Sequence, residues 1–146
     1  MRMQLLAVAL FVWGAGSVRA DLKQALAEPN LEKRSKLALD NAEAAYQGAR
    51  AAYEKGDNAK VAADLSELVE SVELAYKSLN ETGKDPRKSP KWFKRAEIQT
   101  RDLLRKINSF QQEMDFSDRP LADKAKTTIQ QVHDNLLMGL MEGKPK

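Results

Sequence analysis

The chain predicts an all-α fold: an up-down-up-down four-helix bundle with a short N-terminal pre-helix behind a signal peptide. Three observations predict it. Apolar residues recur at steps of three and four through four long stretches, which is the spacing of one helix face. Pro29, Gly56, Gly83, Pro86 and Pro90 stand between those stretches, where they break helices without kinking them. The chain has no Cys, so an exported protein of this kind must be held by packing alone.

The opening "MRMQLLAVALFVWGAGSVRA" is excluded from the fold. Arg2 gives a positive start, residues 5–13 are an apolar run, and Val18 and Ala20 are small residues placed before a cut. This is the layout of a cleavable secretory signal. The run is far shorter than the ~20 residues that span a bilayer. Residues 1–20 are therefore read as a signal peptide cleaved after Ala20. Residues 21–146 are read as one helical-bundle domain, secreted or periplasmic, with no transmembrane segment in the mature chain.

After the pre-helix "DLKQALAE", Pro29 is a stop and Asn30 a cap. The first long helix carries Leu31, Ala38, Leu39, Ala42, Ala45, Tyr46, Ala49, Ala52 and Tyr53 on one stripe. Its alanines let a partner helix approach closely. Gly56 ends it, and Asp57 or Asn58 caps the second, whose stripe is Val61, Leu65, Leu68, Val72, Ala75 and Leu79. The third starts at Ser89-Pro90, read as a cap followed by a proline whose missing N–H costs nothing. Its stripe is Phe93, Ala96, Thr100, Leu103, Ile107, Phe110 and Met114. The fourth starts around Ser117 or Asp118, with Pro120 in its first turn, and carries Ala122, Ala125, Ile129, Val132, Leu136 and Leu140. Short first and third connections make antiparallel neighbours, and the longer "ETGKDPRKSPK" joins the two halves.

The segments "ALAEPN" and "YEKGDNAKVAADL" resemble tetratricopeptide repeats, over about a sixth of the chain. The resemblance implies a helical hairpin that binds peptides. The spacing departs from the family. Pro29 and Gly56 lie 27 residues apart, too far for half of a 34-residue unit, and nothing recurs at that period after Leu79.

The sequence pI of about 9.1 is no case for nucleic acid. Without Arg2 and Arg19, the 24 basic residues become 22 against 21 acidic ones. The charge is nonetheless uneven. Residues 21–83 hold 8 basic and 12 acidic residues, and residues 84–146 hold 14 and 9.

One His and no Cys exclude Cys-His and multi-histidine zinc chemistry. No catalytic, metal or cofactor-binding residue is assigned. His133 invites comparison with soluble b-type cytochromes, exported four-helix bundles that bind haem. However, His133 falls about 60° off its apolar stripe, and no Met lies between residues 21 and 113. Asp64, Glu67, Glu70 and Glu73 are spaced by three, so successive carboxylates drift about 60° around the helix and splay apart.

The sharpest charge feature is residues 84–106, with 9 basic residues and 3 acidic. Lys88 leads into a stripe of Lys91, Lys94, Ile98, Arg101 and Arg105 on the outer side of the third helix. Trp92 and Phe93 fall on its core side, which suits packing better than base stacking. The end of the fourth helix, "NLLMGLMEG", is apolar around most of its circumference. Either "DLKQALAE" folds over it, or Leu137, Met138 and Met141 form a Met-rich binding surface. The functional expectation is a non-enzymatic interaction or scaffold module of a bacterial envelope. Its partner is a protein or an anionic envelope surface, met by the basic stripe and the Leu/Met end. A peptide-binding hairpin, an anionic membrane-surface binder and a haem-binding bundle are the alternatives.

Overall fold

The computed structural model describes residues 21–144. The predicted leader and its cleavage after Ala20 lie outside the described residues. Among the described residues five α-helices follow one another: α1 (Lys23–Ala27), α2 (Leu31–Glu54), α3 (Asn58–Glu81), α4 (Lys91–Glu113) and α5 (Asp123–Glu142). The four long ones pack against each other as an all-α bundle, with 20 to 24 residues each.

Local chemistry explains most of the boundaries. The Asn30 side chain accepts from the Lys33 N–H at 2.9 Å, and Asp57 accepts from the Lys60 N–H at 3.1 Å. Each satisfies a donor that the first turn leaves free. Between them, Gly56 takes φ 73°. The Asp57 N–H then reaches the Ala52 carbonyl and the Gly56 N–H reaches that of Tyr53, the paired bonds of a glycine-closed helix end.

Two predicted starts differ. Ser89 does not cap α4. Its own N–H donates to the Asp85 carbonyl at 2.8 Å, which holds it in a turn, and Pro90 supplies the first carbonyl, to Lys94. The α-helical part of the last helix begins at Asp123, later than Ser117 or Asp118. A 3₁₀ turn at Arg119–Ala122 precedes it, because Pro120 lacks an N–H and the Leu121 N–H closes the tighter bond to Asp118.

The chain makes two antiparallel hairpins, α2–α3 and α4–α5, with both tight turns at one pole. They lie side by side so that like-directed helices neighbour: α2 beside α4, and α3 beside α5. The segment joining α3 to α4 therefore crosses a diagonal, and α3 and α4 occupy opposite corners. The α2–α3 contact is the closest. Ala38, Ala42, Ala45, Ala49 and Ala52 are buried, and a Cβ added at Gly48 would stand 2.8 Å from an Asp64 oxygen. Leu65, Leu68, Leu103, Ile107, Phe110, Ile129 and Val132 share one core, as their stripes predict. Tyr46 and Tyr53 meet the Phe110 ring edge-on at 6.1 and 5.7 Å.

The α2–α4 seam is polar. Gln99 donates to Asp40 at 3.0 Å, Lys106 to Glu43 at 2.6 Å and Arg50 to Glu113 at 2.7 Å. Hydrogen bonds from Lys106 and then Arg105 hold the Asp102 carboxyl below the usual carboxylate range. Hydrogen bonds to Glu43 and then Asp102 hold Lys106 above the usual lysine range. The depressed Asp102 contributes stability above its unfolded pKa that is lost as pH falls through the folded one. The raised Lys106 contributes stability below its unfolded pKa that is lost as pH rises through the folded one. Lys106→Gln is thus expected to lower the urea midpoint most between about pH 5 and 9. The gap from the parent should narrow toward both extremes. A gap independent of pH from 2 to 12 would show that these ion pairs contribute nothing.

Candidate functional site

The pole opposite the two tight turns gathers the start of α2, the 82–90 connection, the start of α4 and the end of α5. At this pole α1 settles against α2 through Ala25 and makes no close approach to α5. The segment "DLKQALAE" therefore leaves the Leu/Met end open. Leu137, Met138 and Met141 are 40 %, 55 % and 68 % exposed.

The register of α5 against α4 is fixed by one pair. His133 Nε2 lies 3.1 Å from Glu97 Oε1. The helices are antiparallel, so one turn further on Leu137 sits level with Phe93 and Lys94. Another turn brings Met141 level with Ser89 and Pro90. The structure thus brings Lys88, Lys91 and Lys94 to the same pole as Leu137 and Met141. Met138 is separated from them. It turns toward α3, where it lines a groove of about 720 Å³ with Tyr76, Asn80, Pro86, Phe93 and Leu136. Arg101 and Arg105 lie one and two turns beyond Glu97, away from the pole.

The basic residues are not equivalent. All of Lys88, Lys91, Lys94, Ile98, Arg101 and Arg105 are exposed. Arg101 stands 3.5 Å from Glu97, and Arg105 pairs with Asp102 along its own helix. Lys91 and Lys94 enter no ion pair among the described residues. The ammonium of Lys91 and the guanidinium of Arg95 lie 5.5 and 5.8 Å from the Trp92 ring centroid. Trp92 is half-buried between core and cations, and Phe93 is buried. Ile98, 51 % exposed, is an apolar step inside the charged stripe.

Two features escaped the sequence. Glu97 is buried, although nothing around it in the chain distinguishes it from a surface glutamate. Its partner His133 is 36 residues away, and only tertiary register unites them. The acidic series on α3 is also divided. Asp64 turns toward α2 and pairs with Lys60 at 2.6 Å. Glu67 accepts from Asn41 at 3.3 Å, whereas Glu70 and Glu73 face solvent.

Among the described residues, no group of three or more His, Cys, Asp or Glu could hold a metal ion. None of the described helices is long and apolar enough to cross a membrane. No protein-family model, curated protein or solved structure matches the chain.

Proposed function

We propose that the protein is an exported, non-enzymatic interaction module of a bacterial envelope, and that its docking surface is the basic side of the α4–α5 pole. One observation carries this reading: among the described residues, two lysines without ion-pair partners stand level with large apolar side chains that no described element covers. Apolar side chains that stay in water next to free cations suit an acidic amphipathic helix. Its apolar face would bury Leu137 and Met141, and its carboxylates would meet Lys91 and Lys94. Met side chains adapt to such a partner at little cost in strain.

The test is capture from an envelope extract on immobilised protein, followed by kinetics with the captured partner. Lys91→Gln with Lys94→Gln should slow association severalfold, and the loss should shrink at high salt. Leu137→Ser with Met141→Ser should speed dissociation at any salt. A partner that binds both variants as well as the parent would end this reading. Salt-sensitive sedimentation with anionic vesicles, lost in the lysine variant, would assign the surface to a membrane instead.

A further inference from the structure

We infer that the acidic partner of the α4 stripe is the α3 face of a second copy of this chain, and that copies add side by side in one orientation as an open row. The inference rests on the reading of Lys91 and Lys94 as docking groups and goes on to name the carboxylates that meet them, with Leu137 and Met141 outside this contact.

The first observation is placement. Because α3 and α4 hold opposite corners, their solvent faces point to opposite sides of the bundle. On α3 the outermost residues, read at 100° per residue from buried Leu68, are Ala59, Ala63, Ser66, Glu70, Glu73 and Lys77. All are exposed. Neither Glu70 nor Glu73 enters an ion pair among the described residues. One side of the molecule therefore offers free carboxylates, and the opposite side offers the free ammonium groups of Lys91 and Lys94.

The second observation is spacing. Both pairs, Glu70/Glu73 and Lys91/Lys94, are three residues apart. With the two helices antiparallel, Lys91 meets Glu73 and Lys94 meets Glu70. One turn further on, Ile98 meets Ser66, and beyond it stand the exposed Ala62 and Ala63. This small-residue step is where a protruding isoleucine can seat without clashing. With the helices parallel, the two lysines would meet the same two glutamates but Ile98 would meet Lys77, so the antiparallel register is favoured on shape.

The third observation is direction. Within one molecule α3 and α4 already run antiparallel. An antiparallel contact between α4 of one copy and α3 of the next therefore needs no rotation, only a translation: across the diagonal, with an offset along the helix axis that brings Lys94 to Glu70. Such a contact joins two different surfaces and leaves one of each free at the ends. It does not close, and growth continues. The predicted stripe is narrow, so each contact is weak and assembly is concentration-dependent.

The experiment is sedimentation velocity of residues 21–146 at rising concentration, with two charge-reversed variants. Glu70→Lys with Glu73→Lys makes both faces basic, and Lys91→Glu with Lys94→Glu makes both acidic. The parent is expected to grow past the dimer without a preferred size, and to fall back toward monomer in ~1 M salt, where screening reaches ~3 Å. Each variant alone should stay monomeric, and an equal mixture should assemble again. Recovery on mixing also shows that both variants are folded. A parent that is monomeric up to about 1 mM, the range of a very weak contact, overturns the inference. So does a variant that assembles like the parent, or a mixture that stays monomeric. If the parent is monomeric but Lys91→Gln with Lys94→Gln still loses an extract partner, the docking face stands and only its occupant is wrong.

Discussion

Ile107→Ala is expected to destabilise the bundle by about 2 to 5 kcal/mol, read as a lower urea midpoint with an unchanged slope. Ile107 is fully buried, with no solvent exposure, at the centre of the α4 stripe. Truncation removes three buried carbons and leaves a cavity that rigid helices cannot collapse to fill. Leu104, one turn earlier, only packs at the edge of the core, so Leu104→Ala should cost clearly less. Equal losses at the two positions, or a loss at Ile107 under ~0.5 kcal/mol, would mean that the seven-residue stripe is not the core.

The second large effect runs the other way, through added volume. Ala45 is fully buried between α2 and α3, in the contact where alanine spacing lets the backbones come close. Ala45→Leu inserts three carbons into this buried contact. The helices must part or the new side chain must leave its preferred rotamer, at a cost of about 1 to 3 kcal/mol. Ala51 lies on the same helix but faces solvent, and leucine and alanine are both good helix formers. Ala51→Leu should therefore move the urea midpoint little. If the two substitutions behave alike, the α2–α3 contact is looser than its burial indicates.

The extent to which the sequence disclosed this architecture depends on the range of the interaction. Stripe residues such as Leu65, Leu103 and Ile129, and caps such as Asn30 and Asp57, act through their own helix or turn, and their spacing is visible in the chain. Ser89 was misread because its role is set by Asp85, four residues back, which draws its N–H into a turn. Which helices neighbour was not legible, since a stripe tells which face is buried but not against what. The same limit hid Glu97, and it hid the division of the Leu/Met end, where Met138 belongs to the α3 side and Met141 to the α4 side. Of the candidate site, the basic stripe was legible as charge. The contrast between the engaged Arg101 and Arg105 and the free Lys91 and Lys94 needed coordinates.

The close α2–α3 contact has a consequence for the order in which the chain folds. Its two helices are joined by a three-residue connection, so bringing them together closes a short loop at small entropic cost. Contacts between the hairpins join residues such as Glu43 and Lys106, 63 apart, and must wait for a far larger closure. The fold is thus rich in local contacts, the class that folds fastest, and α2–α3 is its natural nucleus. The two core variants report this when followed in time. Ala45→Leu, inside the nucleus, should mainly slow refolding. Ile107→Ala, on the hairpin that docks later, should mainly hasten unfolding.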